Sequence, residues 1–338
     1  METPPELARG RYDLVTATIR AIIEQIQAVW RTLTAETVEE GMSGEAGALI
    51  AAAAVAGQLS VAEAASAYIA AQMEAQDASP VTEAALIARA FAGIAPDGGP
   101  LETLLYLPAI GVRRRIAAGM EPDEAMIGGL VDMTMYTATA IADAARSADQ
   151  VAMATTRSCV AYVRVVQLPA CSRCIVLAGQ IYPHSEGFRR HPNCDCEIFP
   201  LAEKDWPGVP TPEQLFAQLS PRQQSRVFTV DGARAIRAGA DLGQVVNARR
   251  GMDTVHIYRR TLQVTHEGAT RRSVYGRSRA RAGDPTRRFA GQRFGQATSM
   301  RYYRSDRSPR LMPEEIFRLA DGNRDEELRL LRRYGYIV

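Results

Sequence analysis

Apolar positions at Tyr12, Val15, Ile19, Ile22, Ile26, Val29 and Leu33 recur at steps of three and four. That spacing predicts one long helix burying a single face. Ser43 or Gly44 opens an alanine-rich helix, and Ser60 precedes another, with Glu63 placed for a capping box. Breaks are expected at residues 77–80, 95–100 and 120–122, where Pro, Gly, Asp and Ser gather. A long helix should follow Pro122 on the stripe Met126, Leu130, Met133, Thr137, Ala140 and Ala144. Its later members are small, so a second helix can approach closely. Thr137 is the one polar member, and its hydroxyl is expected to bond back to a carbonyl of the preceding turn.

The texture changes at Ala161. Residues 161–166, 179–182 and 197–199 pattern as short strands around turns. Thr211-Pro212-Glu213-Gln214 and Ser220-Pro221-Arg222-Gln223 each combine an N-cap, a proline at the first helical position and a reciprocal Gln. Asp231 and Asp241 mark further helix starts, and residues 254–258 alternate like a strand. A closing helix begins at Pro313, with Ile316, Leu319, Leu328 and Leu331 as anchors. The predicted class is mainly α (α+β). It comprises an N-terminal helical bundle over 1–160 and a small irregular α+β domain over 161–260 carrying a Cys/His knuckle. An extended basic arm over 261–310 ends in a C-terminal helix over 311–338.

Charge sharpens this division. The net is +2 over 338 residues. Residues 1–150 carry 9 Arg against 20 Asp and Glu, a net of −11, whereas residues 271–310 carry 12 Arg against 2 Asp, a net of +10. The two ends are therefore expected to meet different partners. The first residues are acidic, without the apolar core of a secretory signal, and the longest apolar run, 46–57, is short for a bilayer. A soluble protein made in a cytosol, with no membrane partner, is the expectation.

Four of the five cysteines fall within 26 residues, an arrangement unlike a disulfide framework. Cys171-x2-Cys174 brings two thiolates to one point. Sixteen residues later come His191, Cys194 and Cys196. If 194–196 is extended, Cys194 and Cys196 share a face. Zinc takes four such N or S ligands in a closed tetrahedral site. Five candidates compete for four places; Cys171, Cys174, His191 and Cys196 form the preferred set, with Cys194 as the substitute and His184 as an outsider. Thiolate-rich ligation favours a structural zinc over a catalytic one.

Cys171-Ser172-Arg173-Cys174, Leu177-Ala178-Gly179 and Arg190-His191-Pro192-Asn193-Cys194-Asp195-Cys196 together resemble the core of the Mu F-like minor head protein family. The resemblance is to versions from phages of actinobacteria and covers residues 150–260, with 244–251 and 330–336 also similar. Where the family has Arg between the last two cysteines, this chain has Asp195. The resemblance implies a structural minor capsid protein of a tailed phage. Such a protein would associate with the portal protein and with major head and scaffold proteins during head morphogenesis. It would sit in the virion, in the head interior or portal region, after assembly in the host cytoplasm. Some relatives are described as capsid maturation proteases, which supplies an alternative.

Arg271, Arg272, Arg277, Arg279, Arg281, Arg287, Arg288 and Arg293 are interleaved with Tyr275, Phe289 and Phe294. Charge binds phosphate without sequence preference, and aromatics stack on bases. Packaged double-stranded DNA is one expected partner and acidic protein the other. A non-specific nucleic-acid-binding protein outside any particle is the third reading. For a protease, His256 with a nearby Ser or Thr and Asp253 is the conceivable constellation. Neither a Gly-x-Ser-x-Gly elbow nor a His-Glu-x-x-His helix occurs in the sequence. A lone Cys159 is expected to face the helical core.

Overall fold

The computed structural model describes residues 3–184, 187, 196–202, 209–257, 260–270, 288–289, 302–304 and 309–337. Among the described residues helix accounts for 63% and strand for 12%, so they are mainly α with small sheets. It divides into two compact units: Met1–Gln167 with Ala178–Pro210, and Leu168–Leu177 with Thr211–Val338.

The first unit holds α1 (Pro4–Trp30), α2 (Val38–Ser43), α3 (Glu45–Glu63), α4 (Ala65–Glu74), α5 (Leu101–Ala117) and α6 (Pro122–Thr155). Its core joins Val15, Ile22, Ile26 and Trp30 of α1 to Ile50, Ala54 and Val61 of α3. Leu105 and Val112 of α5 and Met133, Ala140 and Ile141 of α6 complete it. Close approach relies on glycine. A Cβ at Gly57 would lie 2.8 Å from Ile141 Cδ1 and 2.9 Å from Ile22 Cγ1. One at Gly129 would lie 2.5 Å from Val112 Cγ2 and 2.8 Å from Trp30. The stretches Glu45–Glu74 and Pro122–Thr155 are long and apolar enough to cross a membrane by length and composition, with mean hydropathy 1.6 and 1.2. In this unit α3 and α6 pack on each other through Ile50, Ala54, Ala140 and Ile141, as core helices do.

Two expectations are overturned here. Ser60 opens no helix, because α3 runs through it to Glu63. Gln58, Val61 and Ala62 are buried around it, and the Gln58 amide is held by Ile94 O and Gly93 N, each at 2.8 Å, so packing carries the helix on. Thr137 is fully buried, but its hydroxyl has no hydrogen-bond partner; Thr139 makes the back-bond instead, to Met135 O at 2.8 Å.

A three-stranded antiparallel sheet completes the unit, in the order β2 (Ile181–Pro183), β1 (Ala161–Val166), β3 (Cys196–Leu201). The register Ala161↔Leu201, Val163↔Phe199, Val165↔Glu197 puts those six residues on one face. Ala8 of α1 packs among its apolar members. Tyr162, Arg164, Val166, Cys196 and Ile198 form the other face.

The second unit contains α7 (Ser172–Val176), α8 (Pro212–Gln218), α9 (Pro221–Phe228), α10 (Val230–Arg237) and α11 (Leu242–Ala248), then α12 (Pro313–Ala320) and α13 (Arg324–Arg333). The capping boxes at Thr211–Gln214 and Ser220–Gln223 form, and Asp241 Oδ1 accepts from Gln244 N at 2.8 Å. Helix α10 is capped by Thr229 rather than Asp231. Thr229 adopts φ 68°, ψ 166°, a region that favours glycine, and its hydroxyl accepts from Gly232 N at 3.2 Å. Of the closing anchors, Ile316 and Leu331 are fully buried, whereas Leu319 is exposed.

Strands β4 (Met252–Ile257), β5 (Arg260–Thr265) and β9 (Arg310–Leu311) form one antiparallel sheet. Strands β6 (Glu267–Thr270), β8 (Tyr302–Arg304) and β7 (Arg288–Phe289) form another. Parts of the stretch read from sequence as an arm are thus paired backbone. Arg310, at its end, is fully buried. Its Nε donates to Glu267 O and its Nη1 to Tyr334 O, each at 3.0 Å, and its guanidinium lies 4.6 Å from the Tyr336 ring centroid.

Candidate functional site

Cys171 is the N-cap of the single-turn helix α7. Its backbone is extended, at φ −76°, ψ 159°. Its Sγ accepts from the Cys174 amide at 3.4 Å, and its carbonyl accepts from the Ile175 amide at 3.1 Å. Cys171 is exposed and Cys174 buried, and α7 packs on α8 and α11. The Cys-x2-Cys stretch is thus a tight turn, with the Cys171 sulfur facing the Cys174 amide.

Cys196 begins β3 and is fully buried. It shares a sheet face with Arg164, and its carbonyl accepts from Arg146 Nη1 at 3.1 Å. His191 and Cys194 lie outside the described residues. Among the described residues no three His, Cys, Asp or Glu side chains gather around one point. His184 closes β2, with Nδ1 3.3 Å from Val160 O.

Beneath the sheet lies a charged group with no counterpart in the sequence reading. Arg11 of α1 and Asp149 of α6 form a bidentate pair, Nη2 to Oδ1 at 2.7 Å and Nε to Oδ2 at 3.2 Å. Their side chains are 1% and 0% exposed. Arg146 pairs with Asp143 at 2.7 Å, and the Tyr68 hydroxyl donates to Ile198 O at 2.8 Å. Burial works against the Arg11 cation, yet Asp149 beside it raises its pKa overall. Burial also pushes the Asp149 carboxyl up, against the pull of Arg11 and Arg146. The Tyr68 phenol is held well above its usual range by burial, then by Asp149 and Glu197. The available signal was Asp143, Arg146 and Asp149 spaced by three within an alanine stripe, on a face that has to be buried.

The β4–β5 hairpin divides the protease constellation. Residues 253 and 256 differ by an odd number and so face opposite sides of β4. His256 Nδ1 lies 3.1 Å from Thr261 Oγ1, its directly paired neighbour. Asp253 is engaged by His266 Nε2 at 3.3 Å. A hydrogen bond from the Thr254 amide, then His266, holds the Asp253 carboxyl below its usual range. Cys159 is buried, as expected, and burial pushes its thiol up to about 11.

Arg271, Arg272, Arg277, Arg279, Arg281, Arg287 and Arg293 lie outside the described residues, and Arg288 is described only as backbone of β7. Compared with protein-family models, with curated proteins and with solved structures, the chain has no match.

Proposed function

We propose that the chain is a structural assembly protein of the Mu F-like minor head type, with its middle segment fastened by zinc. The observation that carries this reading is the Cys171–Cys174 turn, in which a backbone amide is already spent on a sulfur. Cys171 and Cys174 would hold the ion with two of His191, Cys194 and Cys196. Zinc, when bound, supplies a fixed cross-link and a positive charge. The partners that go with this reading are the portal protein, the major head and scaffold proteins, and packaged DNA on the arginines at 271–293. The separation of His256 from Asp253 on β4 leaves the maturation-protease alternative without its conceived base–acid pair.

Metal analysis of the purified full chain tests the zinc. About one zinc per chain is expected, with loss of metal and of solubility in Cys171→Ser and Cys196→Ser. A metal-free wild type from zinc-replete cells sinks the knuckle. Co-purification with portal rings tests the assembly role separately. A salt titration of DNA binding tests the arginine stretch; binding that ignores salt, or none at all, removes DNA as its partner.

A further inference from the structure

The outward side of the α5–α6 hairpin is chemically unfinished. Leu107, Ile110 and Arg114 lie on one stripe of α5, at i, i+3 and i+7, opposite the buried Leu105, Ala109 and Val112. Glu124, Ile127 and Val131 repeat that spacing on α6, opposite the buried Gly129 and Met133. Ile127 and Val131 are 64% and 62% exposed, and Leu107 of α5 is 42% exposed. Large aliphatics gathered on two adjacent helices mark a surface that another molecule covers. Between the helices a cleft of about 400 Å³ is lined by Leu107, Ile110, Arg114 and Tyr136 together with the Arg115–Asp132 pair.

The charges indicate which molecule. Residues 113–115 are three arginines in a segment of net charge −11. Arg113 pairs with Glu39 at 3.7 Å and Arg115 with Asp132 at 2.7 Å. Arg114 has no ion pair among the described residues, and neither does Glu124. Because the chain reverses between Ala117 and Pro122, Arg114 and Glu124 both stand at the hairpin tip, one on each helix. Each stripe runs from apolar to charged toward that tip, with opposite charges at its end.

We propose that this face seats a second copy of the chain, joined about a two-fold axis running along the hairpin to give a four-helix bundle. Such an axis lays α5 of each copy over α6 of the other, in antiparallel pairs. Because Val112 lies level with Gly129 in the hairpin, this axis sets Ile110 against Val131 and brings Arg114 within about one helical turn of the other copy's Glu124, twice over. A foreign partner would have no reason to find both charge signs in this mirrored order.

Sedimentation of the full chain over a range of concentrations tests the proposal. The wild type should reach twice its 36.9 kDa mass. Val131→Glu should leave monomers. Arg114→Glu should raise the dissociation constant roughly tenfold or more, since two like-charged contacts replace two attractive ones. Adding Glu124→Arg to Arg114→Glu should restore the dimer. Circular dichroism checks that each variant folds, and the charge-swapped pair decides the matter if Val131→Glu does not. A wild type that stays monomeric overturns the proposal. So does a dimer indifferent to Arg114→Glu, or one that the double reversal fails to restore.

Discussion

Replacing Asp149 with alanine strands the Arg11 guanidinium inside the first unit. The pair is bidentate, and the two side chains are 1% and 0% exposed, so water cannot take over the lost partner. Among the described residues the one other acceptor on Arg11 is Ala145 O, at 3.5 Å. Breaking a buried pair from one side costs about 3–5 kcal/mol, because the remaining charge is left uncompensated. Against a domain stability of roughly 5–15 kcal/mol that is a large fraction. With about 2–4 °C of midpoint per kcal/mol for a unit this size, the first unit should melt roughly 6–20 °C lower. Asp149→Leu combined with Arg11→Met removes both charges and should recover to within about 1 kcal/mol of wild type. Calorimetry on the wild type and the two variants, with far-ultraviolet dichroism to confirm helix content, makes the comparison. A single variant costing under about 1 kcal/mol, or a double variant no better than the single, would falsify the claim that the pair is desolvated and mutually dependent.

Four further outcomes are expected. Thr137→Val, which keeps the shape and removes a buried hydroxyl without a partner, should stabilise the first unit by about 1 kcal/mol; a lower melting midpoint contradicts this. Cys159, with its thiol at about 11, should be roughly one-thousandth thiolate at pH 8, and its alkylation should climb about tenfold per pH unit. The same shift makes its contribution to stability complete below the unfolded thiol value of about 8.5 and lost as pH rises through 11; labelling at pH 8 as fast as an exposed thiol refutes both statements. Thr229→Gly should be more stable than Thr229→Ala by about 1–2 kcal/mol, because only glycine is relaxed at φ 68°, and equal melting midpoints would remove the strain. Arg310→Ala should destabilise the second unit by about 2–4 kcal/mol, through two lost carbonyl bonds and the lost packing on Tyr336; a change under 0.5 kcal/mol, of the size seen at ordinary surface sites, contradicts that role.

What was legible in the sequence was what is decided locally. Thr211, Ser220 and Asp241 announce helix starts because the cap and its acceptor lie three residues apart. The Cys171–Cys174 turn is legible for the same reason. Ser60 misleads because a distant contact, Gln58 with Ile94 and Gly93, outweighs a weak local signal. Thr137 misleads because the choice of which threonine bonds back, Thr139 rather than Thr137, is not written in the local sequence. Arg11 and Asp149 are 138 residues apart, and nothing near either one names the other. Asp253 and His256 look adjacent along the chain, yet strand alternation turns them apart.

The ladder between β5 and β9 pairs Val264 with Leu311 and Thr265 with Arg310. The backbone on either side of the arginine-rich stretch is therefore paired to itself, Thr265 before it with Arg310 after it. Cleavage by trypsin anywhere between residues 271 and 309 should leave two fragments that travel together under native conditions and part only in denaturant. A pull on the chain between those paired residues is borne at Arg310, whose side chain is held by Glu267 O and Tyr334 O.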